Sequence, residues 1–272
     1  MTLHKFLFTI SLFLQTASLF STAHREPYFI VIGAQKAGTT SLFSYLAQHP
    51  KIATNRKEIH FFDRNYHKGI DWYEKIISRT KQDRIIVGEA TPSYIFEPHV
   101  SRRVFRHYPN VKLILLLRNP VDRAFSAYKM RVRNGGENRS FEEVVRSELK
   151  LLKDDDPVIR RRSLKNDSII TRGIYISQIK RWMEFFPSRQ MLILCAEDFF
   201  NNPRKIMKKV YRFLKVHEHD FGNFTVMNAG ESNEIMSDQI RTELVEFYKP
   251  YNQKLQEYLT HEAKLNLQLG WD

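Results

Sequence analysis

Gly33-Ala34-Gln35-Lys36-Ala37-Gly38-Thr39-Thr40 follows directly on the apolar run Tyr28 to Ile32. Such a run reads as a buried strand, and the glycine-containing turn leads into a helical pattern from about Thr39 to His49. A strand, a tight turn and a helix N-terminus together aim backbone N–H groups and the positive end of a helix dipole at an anion. The motif is close to the G-x-x-x-x-G-K-[ST] loop that cradles nucleotide phosphates. It differs at the position that matters: Thr39 stands where that loop has its lysine, and the lysine lies inside the turn as Lys36. Its ammonium can therefore face the terminal group of a phosphate-like ligand, so the loop is expected to serve a different reactive end.

Val111 to Leu117 is a second buried strand, followed by Arg118-Asn119-Pro120, with Pro120 suited to the first turn of a helix. In a magnesium-dependent phosphate-loop enzyme the corresponding strand commonly ends in a metal-holding aspartate. This one ends in Arg118. Side-chain charge in place of a metal-binding carboxylate points to an anion held without a divalent ion, so no metal is expected.

These stretches resemble the sulfotransferases that use 3′-phosphoadenosine 5′-phosphosulfate (PAPS), and most of all the heparan sulfate glucosaminyl N- and 3-O-sulfotransferase branch. Gly33 to Leu42 is similar to that family's 5′-phosphosulfate loop, and Arg118 to Ser126 to its 3′-phosphate element. Lys57-Glu58-Ile59-His60-Phe61-Phe62 with Lys68-Gly69-Ile70-Asp71-Trp72-Tyr73 resembles the acceptor segment of its glycan-directed members. The resemblance runs from about Tyr28 to Gly270-Trp271. It implies an α/β, P-loop-like three-layer fold with a central, mainly parallel sheet flanked by helices. It also implies an enzyme with PAPS as co-substrate and an acidic or amino-sugar glycan as acceptor.

Sulfuryl transfer develops charge on the bridging oxygen, which calls for a close cation. Lys36 is the candidate, aided by Ala37, Gly38, Thr39 and Thr40 as loop donors, while a helix-capping role for Thr39 stays open. An acceptor hydroxyl or amine needs a general base as it attacks. The resemblance places that base at Glu58, with His60 as a reserve base or an acceptor-orienting donor and Arg56, Lys57 and Trp72 as acceptor contacts. Arg118 and Ser126 are expected on the 3′-phosphate, and Tyr175, which follows Arg172-Gly173, near the nucleotide. Arg123 is expected to face solvent or an acidic neighbour, and Trp182 to lie in the core. The chain departs from the family at Ala90, where a lysine is expected after Glu89, and at Phe224 to Glu231, where a clamp on the nucleotide has no clear equivalent.

Composition allows this reading without deciding it. A chain of 272 residues with 42% hydrophobic content can bury one substantial core. A net charge of +13 favours acidic partners, and with no nucleic-acid-binding signature a glycan or nucleotide is preferred over nucleic acid. The single cysteine, Cys195, excludes an internal disulfide and reads as a buried strand residue. Residues 1–24 read as a signal peptide or short membrane anchor, or else as an extension resting on the domain; 25–272 read as a single sulfotransferase domain. Export would suit the Golgi lumen or membrane, because the donor must be present. Sequons at Asn138, Asn166 and Asn223 add little.

The remaining pattern alternates strands and helices. Strands are expected at Arg84 to Gly88 and Gln190 to Ala196. Helices are expected at Pro98 to Tyr108, Phe141 to Leu152, Ile174 to Phe186, Pro203 to Val216 and Ser237 to Leu259, the last interrupted at Pro250. Lys153 to Asp167 reads as a mobile surface loop. Two other readings remain: a nucleotide-dependent phosphotransferase, which Arg118 and the displaced lysine oppose, and an inactive glycan-binding protein on the same fold, which Ala90 would allow.

Overall fold

In the computed structural model, the described residues are 26–54, 58–79, 85–153, 168–220, 222, 224 and 234–271. Five strands form one sheet: β1 (Phe29–Gly33), β2 (Ile52–Thr54), β3 (Ile86–Ala90), β4 (Lys112–Leu117) and β5 (Met191–Cys195). Their order is β2-β3-β1-β4-β5, and every pairing is parallel. Parallel strands need covering crossovers, which is why β1 and β4 read as unbroken apolar runs and are buried along almost their whole length. The α/β, P-loop-like fold with helices flanking a parallel sheet is thus the observed one.

The helices among the described residues are α1 (Thr39–Gln48), α2 (Ile70–Ile77), α3 (Val100–His107), α4 (Pro120–Arg133), α5 (Phe141–Leu152), α6 (Tyr175–Met183), α7 (Ala196–Asn201), α8 (Pro203–Leu214) and α9 (Asp238–Glu257). Most of the buried apolar residues form one cluster around the sheet, with Trp182 and Phe186 among them. A second cluster joins Val121, Ala124 and Tyr128 of α4, Val144, Val145 and Leu149 of α5, Ile169 and Ile170, and Ile240, Leu244 and Tyr248 of α9. Cys195 is a buried free thiol at the end of β5, pushed up to about 12 by burial and by its bond to Glu197.

Two expectations need correction. Arg123 does not face solvent: it is 0% exposed, and among the described residues its Nη2 donates to the carbonyl of Ile169 rather than to a carboxylate. Helical spacing explains this, because Pro120, Ala124, Ala127 and Tyr128 form the buried stripe of α4 and Arg123 lies within it. Pro250 does not interrupt the last helix, which runs through it to Glu257 and ends in a π turn, Tyr258–Glu262. Pro250 and Glu246 are both exposed, so water can take the carbonyl that proline leaves without an N–H. Three elements were not read at all: the short strand β2, and the helices α2 and α7. Residues 1–24, Arg56, Lys57, the sequons at Asn166 and Asn223, and nearly all of Lys153 to Asp167 and Phe224 to Glu231 lie outside the described residues.

Candidate active site

The carboxyl ends of parallel strands are where such sheets present loops to ligands. At the end of β1 the chain turns at once into α1 through Lys36 at φ 73° and Gly38 at φ 88°. Gly38 is the N-cap of α1, so Thr39 is the first helical residue rather than the cap, and glycine has no side chain with which to close the first turn. A Cβ at Gly38 would meet Phe200 Cε1 at 2.6 Å, so both the left-handed backbone and the close approach demand glycine. The turn is tied down by Ala34 N donating to Leu116 O (2.7 Å) on β4 and Ala37 N donating to Ala34 O (3.1 Å). Thr39 is buried and Thr40 is half-buried.

Arg118 leaves the end of β4, the strand beside β1. Its Nη1 donates to the carbonyl of Lys36 at 3.0 Å, and its guanidinium lies 5.7 Å from the Phe200 ring. Asn119 then caps α4, its side chain accepting from Val121 N and Asp122 N, with Pro120 in the first turn. Asn119 N donates to Glu197 Oε1 at 2.8 Å, fixing the strand end against α7. Tyr175 is 1% exposed, and its hydroxyl donates to Arg118 O at 3.0 Å. The structure therefore sets Tyr175 beneath Arg118, and burial raises its hydroxyl to about 12. Ser126 lies half-buried on α4, beyond the capped turn.

The third strand end belongs to β3, on the other side of β1. Glu58 N donates to Ala90 O at 2.7 Å, which pins the segment expected to meet the acceptor to that end. Glu58 and His60 both have left-handed backbones, at φ 62° and 53°. His60 stands between two carboxylates: its Nδ1 is 2.8 Å from Asp63 Oδ2 and its Nε2 is 3.5 Å from Glu58 Oε2. Asp63 also accepts from Ser93 Oγ at 2.7 Å. The bonds to Asp63 and Glu58 raise His60 to about 9, so at neutral pH it is an imidazolium that donates on both sides. Asp63 is held below its usual range by His60 and Ser93 against the opposing effect of burial. Trp72 lies on α2, half-buried, with Lys68 Nζ 4.5 Å from its ring and Phe61 6.1 Å away.

Lys36, Arg118 and Glu58 thus sit on the ends of three neighbouring strands. Asp63 and Ser93 are not among the residues expected from the sequence, although the spacing His60-x-x-Asp63, one residue beyond Phe62, is a signal that could have found the first. The support below is not among them either: Thr91 Oγ1 and Tyr73 OH both donate to the buried carboxylate of Glu89, at 2.8 and 3.0 Å.

Comparisons with known proteins identify the family. The family model for the sulfotransferase domain matches residues 26–265. The chain is 29% identical over 88% of its length to the membrane-associated sulfotransferase kil1 of Dictyostelium discoideum, of which the match spans 66%. It is 28% identical over 94% of its length to heparan sulfate glucosamine 3-O-sulfotransferase 3B1 of Mus musculus, spanning 68% of that protein. The chain therefore spans about two thirds of the length of these relatives. Among solved structures, a sulfotransferase from Alicyclobacillus acidocaldarius is 30% identical with a TM-score of 0.68, covering 89% of this chain and 97% of that one.

Proposed function

The chain belongs to the sulfotransferase family, and from that premise we propose that it moves a sulfuryl group from PAPS to a hydroxyl or amine of a heparan sulfate-like glycan, by in-line displacement and without a metal. The observation that carries this reading is the placement of donor and acceptor parts on adjoining strand ends. Lys36 in the turn after β1 and Arg118 just past β4 are joined by a hydrogen bond, and Glu58 is bonded to the end of β3. The glycan acceptor rests on the likeness to a heparan sulfate 3-O-sulfotransferase and on the acceptor segment around Glu58, His60 and Trp72.

In this reading the N–H groups at the start of α1 and the Lys36 ammonium hold the 5′-phosphosulfate. Arg118 and Ser126 take the 3′-phosphate, and Tyr175 sets the Arg118 backbone from below. As the acceptor oxygen or nitrogen bonds to sulfur, the bond from sulfur to the bridging oxygen breaks, and Lys36 compensates the charge left on phosphate. Glu58 accepts the acceptor's proton. His60, an imidazolium between Glu58 and Asp63, orients Glu58 and donates; it is not the base. Arg56 and Lys57 remain proposed contacts for acidic groups of the glycan. Residues 25–272 act as one domain, and residues 1–24, as signal peptide or anchor, carry it into the secretory pathway and its Golgi lumen or membrane. The name of the Dictyostelium relative supports membrane association.

The test is an assay of labelled PAPS with the purified protein against heparan sulfate, its desulfated and N-deacetylated forms, phenols and steroids. Labelled glycan is the expected product. Transfer only to small phenols would overturn the acceptor, and magnesium-dependent ATP turnover without sulfate transfer would overturn the reaction.

A further inference from the structure

Glu89 is the one carboxylate at the end of a central strand for which the mechanism above has no use, and it is 0% exposed. A buried carboxylate is costly unless hydrogen bonds or a cation compensate it. Here hydroxyl groups do so: Tyr73 OH from α2 donates to Oε1 and Thr91 Oγ1 donates to Oε2. Thr91 and the neighbouring Tyr94 hold the segment expected to meet the acceptor. Thr91 Oγ1 accepts from His60 N at 3.5 Å, and Tyr94 OH accepts from Phe61 N at 3.0 Å and from Phe62 N at 3.3 Å. Glu58 N is held by Ala90 O, the residue next to Glu89. The left-handed backbones of Glu58 and His60 are of a kind that persists only where surrounding contacts over-determine it.

We infer that Glu89 is a positioning residue whose carboxylate, through the hydroxyl of Thr91, fixes the backbone turns that aim Glu58 and His60 at the acceptor. The role in catalysis rests on the reading of Glu58 as base; the role in positioning does not. Charge on Glu89 matters because a carboxylate accepts from all its hydroxyl neighbours, whereas a protonated carboxyl must donate once and so turns one hydroxyl away. The titratable groups facing it are Tyr73 from α2, Tyr94 from the segment after β3, Tyr108 from the end of α3 and Asp63 from the acceptor segment, with His60 beyond Asp63. Burial raises Glu89 to about 7, placing the change of state in the physiological range.

The experiment compares wild type with Glu89→Gln, Thr91→Val and Thr91→Ser by amide hydrogen exchange over residues 58–62 and by kcat and KM as functions of pH. Faster exchange at 58–62 is expected in Glu89→Gln and Thr91→Val but not in Thr91→Ser, which keeps the hydroxyl. At pH 8, kcat should fall about 10- to 100-fold in the first two, the scale of losing a hydrogen bond to a charged group, with the donor's KM within about twofold. An ionisation near 7 in the wild-type kcat profile should be missing from Glu89→Gln. A uniform loss of kcat at all pH values, or wild-type exchange at 58–62 in both Glu89→Gln and Thr91→Val, overturns the inference. Should Glu89→Gln fail to fold, the nearly isosteric Thr91→Val decides. Should wild type transfer no sulfate to any acceptor, the exchange data still decide positioning, and only the proposed function fails.

Discussion

Lys36 and Arg118 carry the charges on which the proposed chemistry rests, and their geometry ties them together through the Lys36 carbonyl. Lys36→Ala should lower turnover by roughly 10² or more, the effect of removing a preorganised donor from a developing oxyanion, while binding of adenosine 3′,5′-bisphosphate changes less. Near-normal turnover in a folded variant would remove Lys36 from the chemical step. Because Arg118 also braces the loop, Arg118→Ala should weaken both adenosine 3′,5′-bisphosphate and adenosine 5′-phosphate, the former by about tenfold more. Calorimetry on the two ligands separates the roles: equal losses mean that Arg118 only braces. His60 titrates at about 9 where an ordinary imidazole titrates near 6.5, so its bonds to Asp63 and Glu58 stabilise the fold fully below that ordinary value. That contribution fades as pH rises through about 9. Asp63→Asn should therefore lower the melting temperature more at pH 6 than at pH 10, and an NMR titration of His60 in this variant should move back toward 6.5. Glu58→Gln should cost about 10² to 10⁴ in turnover with donor affinity retained, against a smaller loss for His60→Ala, since an imidazolium cannot be the base. A dead His60→Ala beside an active Glu58→Gln would exchange the two assignments.

The phosphate loop works as one element with α1, because its left-handed N-cap both starts the helix and leaves the first turn without a side-chain cap. Gly38→Ala introduces a Cβ 2.6 Å from Phe200 on a backbone that costs an L-residue about 1–2 kcal/mol, before any relief of the clash. The melting temperature should fall, and nucleotide affinity should fall further than this strain accounts for, because the turn itself binds. An unchanged affinity in calorimetry would mean that the loop does not hold the phosphates. The strand-turn-helix form of this loop, with β4 and the Pro120 start of α4, is legible because it lies in contiguous strings where glycine and proline have few other uses. The elements that were missed are short or unpatterned: β2 is three residues long, and α7 follows β5 with no break to announce it. Arg123 was misplaced because charge was weighed above position, although the spacing of Pro120, Ala124 and Ala127 put it on the inward stripe of α4. The hydroxyl and carboxylate network under the acceptor segment was invisible for another reason. Asp63 and Ser93 are 30 residues apart and meet only because the acceptor segment crosses the end of β3.

At the scale of the whole molecule, the second apolar cluster does more than enlarge the core, because its polar seam leads to Arg118, at the end proposed to hold the nucleotide. Glu148 of α5 accepts from Ser168 Oγ at 2.6 Å and from Ile169 N and Ile170 N, both at 2.9 Å. The carbonyls of the same two isoleucines are taken by Arg123 of α4 and by Tyr248 OH of α9. The chain leaves this clamp through a single turn, Thr171–Gly173, and enters α6 at Tyr175, whose hydroxyl holds the Arg118 carbonyl. Gly173 sits where a Cβ would come within 2.8 Å of Tyr248 OH, so the turn is packed tightly between cluster and site. A loosened clamp should therefore be felt at Arg118. Glu148→Ala leaves two buried backbone N–H groups without their acceptor at about 1–3 kcal/mol each, so a loss of roughly 2–6 kcal/mol in stability is expected. Calorimetry well below the lowered melting temperature should also show weaker binding of adenosine 3′,5′-bisphosphate, with adenosine 5′-phosphate less affected, because the coupling runs to the Arg118 end. Glu148→Gln, which keeps one acceptor oxygen, should fall between the variant and wild type on both measures. If affinity stays at the wild-type value while stability drops, the second cluster supports the fold alone and the path through Tyr175 carries no coupling to the nucleotide.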